Sequence, residues 1–211
     1  MIYNHPFLSL LVLTLAVPFL VSCERDQKDT TAEDTQAIKA VNKQFADNMT
    51  KIRSAMSAAP PSIADNATIT DWPAEQGGEM PVLREGSNGW TCLPDMPSTP
   101  GNDPMCVDQP WLDWIDAWVN KKEVKISQMG FGYMLRGASP ESNTDPYAEG
   151  PTPDNEWMTE GVPHLMILVP DEQMLAELPT SPEGGGPWVM WRDTPYVHIM
   201  APMPQYKPEE K

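Results

Sequence analysis

The chain has 211 residues and a net charge of −16, with 14 Lys and Arg set against 30 Asp and Glu. That balance argues against nucleic acid and anionic lipid surfaces as charge-driven partners, because both need basic patches. An apolar fraction of 40%, with eight Trp and 14 Met, supplies a core for one domain. The 24 prolines are about twice the average usage, so short elements and long connections are expected.

Residues 1–23 contain no Asp, Glu, Lys or Arg, and 7–20 form a mainly apolar run. The run is too short to span a bilayer and right for the hydrophobic core of a signal peptide. It ends in Leu20-Val21-Ser22-Cys23, which resembles the lipobox of bacterial lipoproteins. The resemblance implies cleavage before Cys23, acylation of its thiol and of the new amino terminus, and membrane anchorage by several acyl chains. Residues 1–22 are then the signal peptide, and 23–31 the lipidated cysteine and its tether. The protein would sit in the bacterial cell envelope, facing the periplasm or the cell surface, with the membrane as a partner through its anchor.

Residues 32–205 read as a single α+β domain, followed by a polar tail at 206–211. Ile38, Val41, Phe45, Met49, Ile52 and Met56 recur at helical spacing, with Thr31 or Asp34 as cap and Pro60-Pro61 as stop. This stripe is expected to pack on the sheet. Stretches 67–72, 80–84 and 89–93 read as a meander of short antiparallel strands. Cys92 and Cys106 are expected to pair, as the two cysteines left in an exported chain, with two thiolate metal ligands as the alternative. Asp108 caps a second helix through 120, with Pro110 in its first turn and a Trp-rich face read as core. Residues 124–135 read as a long strand. Gly130 and Gly132 leave a bare strip of backbone there for close approach by a helix, a loop or a ligand. A polar loop at 137–161 and a short helix at 170–178 flank the strand 164–169.

Strands 188–191 and 196–201 close the chain as a hairpin. Alternation places His164 and Met166 on one face of their strand and His198 and Met200 on one face of theirs. Each strand thus has an aliphatic side and a side carrying imidazole and thioether. The expected architecture is an antiparallel sheet of about six or seven strands with two main helices packed on its aliphatic face. The imidazole and sulfur then look out the opposite way.

Asn88–Asp95, Gly101–Cys106 and His164–Asp171 resemble stretches in a group of bacterial exported proteins, a likeness that carries no activity with it. The residues themselves leave three readings open. The first is a binding or structural module with a protein or small-ligand partner. The second is a periplasmic copper-binding protein, since thioether and imidazole suit Cu(I), using His164, Met166, His198 and Met200 with Met134 and Met203 as further candidates. The third is a hydrolase with one His as general base beside Tyr133, Tyr196 or an acid of the 145–156 loop. No motif of nucleophile, metalloprotease or phosphate loop supports an enzyme, and no catalytic residue is assigned.

Overall fold

The computed structural model describes residues 31–204 except 76 and 160. The signal peptide, Cys23, the tether to residue 30 and the polar tail lie outside the described residues. The chain divides into two compact units at Lys39/Ala40, inside the stretch expected to be one domain. The described part of the first unit, 31–39, is the opening of helix α1 (Ala32–Met56). There Thr31 Oγ1 accepts from the Asp34 N–H, and Asp34 Oδ2 accepts from the Thr31 N–H, a reciprocal cap.

In the second unit α1 continues, and the apolar stripe meets the expectation only at its end. Val41 and Phe45 are 64% and 67% exposed, whereas Ile52, Ala55 and Met56 pack against buried side chains. Lys51 pairs with Asp71 where this end of the helix reaches the sheet. A one-turn helix, α2 (Pro61–Ala64), follows. Strands β1 (Thr68–Thr70), β2 (Val82–Arg84), β3 (Thr91–Leu93) and β4 (Met105–Val107) precede helix α3 (Gln109–Val119). After it come β5 (Gly130–Met134), β6 (Glu141–Ser142), β7 (Trp157–Met158), β8 (His164–Leu168), β9 (Trp188–Met190) and β10 (His198–Pro202). The fold is α+β, as expected.

The main sheet runs β2-β1-β3-β4-β5-β8-β10-β9, eight strands, and β6 with β7 makes a small second one. All pairings in the main sheet are antiparallel except β1 with β3. The expected meander is therefore corrected. The chain leaves β2 and returns along the other edge of β1, so β3 runs parallel to it. The expected long strand is reduced to β5, and the helix after β8 to a 3-10 turn over Glu172–Leu175.

Register fixes the two faces. Ile69, Cys92, Cys106 and Tyr133 lie opposite one another across β1, β3, β4 and β5, under the end of α1. Cys92 and Cys106 form a disulfide with an S–S distance of 2.02 Å. On the other face Val107, Gly132, Met166, Met200 and Trp188 lie in one row under α3. One main helix therefore covers each face, which corrects the expectation of both on one. The imidazole and thioether side chains turn inward toward α3. Their aliphatic alternates Ile167, Val197 and Ile199 form a smaller cluster with Val169 and Leu175. Both faces are covered, so neither row of side chains is driven out to water.

Candidate functional site

Helix α3 starts where Asp108 Oδ1 accepts from the Trp111 N–H (3.3 Å) and Oδ2 from the Phe131 N–H of β5 (2.8 Å). One carboxylate thus caps the helix and ties it to the sheet. Gly130 permits the close approach expected of it, because a Cβ there would lie 2.9 Å from Pro110 Cβ and 3.2 Å from Trp111 Cδ1. Trp111, Trp114 and Ile115 come down on the His/Met row. Between them, the sheet and the loop from Ala138 to Ala148 lies a mostly apolar cavity of about 260 Å³.

Its floor is set by register. Met134 faces His164, Met200 faces Met166, and Met190 faces His198 across neighbouring strands. The four residues singled out in the sequence all line this cavity. They do not form one symmetrical cluster. His198 lies one step beyond the Ile199–Ile167 pair, and His164 faces Pro202. Four residue steps separate the two His, about 13 Å of strand. The two Met meet, and the His flank them from opposite ends. Met203 is 38% exposed and lies outside the cavity lining.

The two imidazoles are held alike. His164 Nδ1 lies 2.7 Å from the Val162 carbonyl oxygen and His198 Nδ1 2.9 Å from that of Tyr196. A carbonyl only accepts, so each Nδ1 carries the proton and each Nε2 keeps its lone pair. Burial pushes both pKa values down, that of His198 to about 4, against the weaker opposing pull of its backbone hydrogen bond and with a smaller downward push from His164. Both rings are therefore neutral at ordinary pH. His198 sits edge-on to three indoles, Trp111, Trp114 and Trp191, with centroids 5.1–5.4 Å away. Trp114 in turn stacks on Trp191 at 5.7 Å and 5°.

Among the described residues, three buried polar atoms on the cavity lining have no hydrogen-bond partner: His164 Nε2, Trp111 Nε1 and Trp114 Nε1. Each such orphan costs about 1–3 kcal/mol. A carboxyl from β6 adds to them. The Glu141 side chain has no hydrogen bond or ion pair among the described residues, although its backbone belongs to the β6/β7 ladder. Burial, then the charge of Asp103, push its pKa up to about 7, although the residue as a whole is only half-buried. Asp103 itself accepts from Ser139 Oγ (2.6 Å), Thr99 Oγ1 (3.1 Å) and the Met96 N–H (3.2 Å). The cavity therefore offers neutral acceptors, indole donors, thioethers and one carboxyl poised near neutrality.

Among the described residues no Ser, Thr or Cys hydroxyl or thiol bonds to either Nε2, so no nucleophile relay is assembled. Tyr196 Oη donates to the Lys122 carbonyl (2.9 Å), and Tyr133 packs on Trp90 on the opposite face. The disulfide also lies on that opposite face, which removes the two-thiolate alternative. No three His, Cys, Asp or Glu side chains gather as a metal site among the described residues. No helix among them is long and apolar enough to cross a membrane. Sequence reasoning missed Glu141, Asp103 and Met190. Asp103 sits in a loop and Glu141 in the two-residue strand β6, where no spacing rule announces a convergence that only tertiary structure creates. Comparison of the chain with known protein families, with curated proteins and with solved structures finds no match.

Proposed function

We propose that this chain is a lipid-tethered binding module of the bacterial cell envelope, taking a small uncharged ligand in the cavity beneath α3. The observation that carries the reading is the gathering of three orphaned polar atoms, two donors and one acceptor, on the walls of one apolar cavity. A ligand with an apolar body and a hydroxyl-like group would supply both missing kinds of partner. A cavity of about 260 Å³ falls just under the usual ~300–1,000 Å³ of small-molecule sites, so the ligand is small. An anion is disfavoured by the net charge of −16 and by loss of hydration in an apolar site. The Leu20–Cys23 lipobox supports the tether, and a disulfide suits an oxidising compartment.

Phenol, which can donate and accept through one oxygen, is the probe, with toluene as the isostere lacking that group. Trp fluorescence of the full chain in detergent, excited at the red edge, should saturate with phenol. Toluene should bind at least about tenfold more weakly, because it leaves the buried polar atoms unpaired. Equal binding of the two, or none of either, would remove the reading.

A further inference from the structure

We infer that the cavity floor is a soft-metal site, in which a Cu(I) ion is held by His164 Nε2 and the sulfurs of Met134, Met166 and Met200. This rests on the reading of the cavity as a ligand site and names a second class of ligand for it. The copper chemistry anticipated for His164, Met166, His198 and Met200 is thereby narrowed to one imidazole and three thioethers.

The argument is one of placement and donor chemistry. Met134 is the direct cross-strand partner of His164, Met166 is the next residue along on the same face of β8, and Met200 is the direct partner of Met166. Directly paired side chains stand about 5 Å apart at Cβ, so all four project into one small volume. Gly132, the partner of Met166, makes room for it. A Cβ at that position would lie 2.8 Å from Met166 Cε.

All four residues are at least nine-tenths buried, and among the described residues His164 Nε2 has no partner. The bond from Nδ1 to the Val162 carbonyl is the outer arrangement that fixes the tautomer of ligating histidines. His164 thus presents a lone pair, and binding displaces no proton. The rest of the donor set decides which metal. Thioethers are soft and uncharged, and one neutral imidazole with three of them selects Cu(I) over Zn(II) or Mg(II). The one thiol pair among the described residues is locked in the disulfide on the other face. Asp103 is engaged by Ser139 and Thr99. His198, wedged edge-on among three indoles, contributes packing and lies at the far end of the row.

The test is titration of the full chain in detergent with Cu(I), kept reduced by ascorbate and competed with bicinchoninate. One equivalent should be withdrawn from the competitor, while Zn(II) should not bind. The variant Met166→Leu/Met200→Leu conserves volume and should bind Cu(I) at least 100-fold more weakly while its metal-free melting temperature changes by only a few degrees. A second readout needs no variant. Ag(I), a redox-inert stand-in, should shift the methyl resonances of Met134, Met166 and Met200 and leave those of Met96 and Met105 in place. Failure to compete for Cu(I), unchanged affinity in the double variant, or Ag(I) shifts confined to other Met would each overturn the inference. If Cu(I) fails while phenol binds, the metal site falls and the binding module stands. If Cu(I) binds while phenol fails, the organic ligand falls instead.

Discussion

The carboxyl of Glu141 is the most sensitive reporter of the cavity, and its replacement by Gln separates its proton from those of the two His. Folding moves the Glu141 pKa from its ordinary 4.5 to about 7. At about 1.4 kcal/mol per pH unit, that displacement is worth about 3 kcal/mol. The sign follows from proton binding. Between 4.5 and 7 the folded chain holds the proton and the unfolded chain does not. Stability from this group is therefore complete below pH 4.5 and is lost as pH rises to 7.

His198, displaced from 6.5 to about 4, acts in the opposite sense, as does His164. There the unfolded chain binds the proton first, so stability is lost as pH falls below 6.5. Asp95 and Asp108, raised mainly by burial, act in the same sense as Glu141. The Glu141 and His198 slopes oppose each other between pH 4.5 and 6.5 and hide one another in the native chain. In Glu141→Gln only the Glu141 term disappears. The variant should match the native chain at pH 4.5 and exceed it by up to about 3 kcal/mol at pH 7.5. With a urea slope of about 2 kcal/mol per M, the midpoint should rise by about 1.5 M. Urea unfolding followed by Trp fluorescence at the two pH values measures it. A stability difference that does not change with pH would refute the buried, charge-averse setting of this carboxyl.

Three further outcomes follow from local geometry. Gly137 has φ +100°, and a Cβ there would collide with the Gly161 carbonyl oxygen. Gly137→Ala should therefore lower stability by at least about 2 kcal/mol in urea unfolding. Asp108→Ala removes the acceptor for two backbone N–H groups, on Trp111 and Phe131. It should cost about 2 kcal/mol and loosen α3 over the cavity, seen as faster hydrogen exchange in that helix. Cys92→Ala/Cys106→Ala opens a loop of 14-residue separation. It should cost about 3 kcal/mol by releasing the unfolded chain, read from the melting curve.

Much of the scaffold was legible because local chemistry declares it. Asp108 with Pro110 marks the start of α3, the run of alternating residues marks β8, and the Arg192–Pro195 connection marks the β9/β10 hairpin. Gly130 and Gly132 announced a close approach that α3 and Met166 make. The choice of inner face was not legible. Hydrophobicity alone favours Ile167 and Ile199 over His164 and His198, yet each imidazole meets half its hydrogen-bonding need with a carbonyl two residues back. That local bond lowers the cost of burial and lets the His/Met row turn under the tryptophans. The exposure of Val41 and Phe45 was hidden for a related reason. Helical spacing shows that a stripe exists, and only the reach of the sheet decides how much of it is covered.

The proton map of the two imidazoles tests the central claim most directly. Long-range ¹H–¹⁵N spectra at pH 7.5 should show His164 and His198 neutral, protonated at Nδ1, with Nε2 bare. The Nε2 resonance of His164 should then move when a ligand enters the cavity. A proton on Nε2 of His164, or a charged ring at that pH, would contradict it.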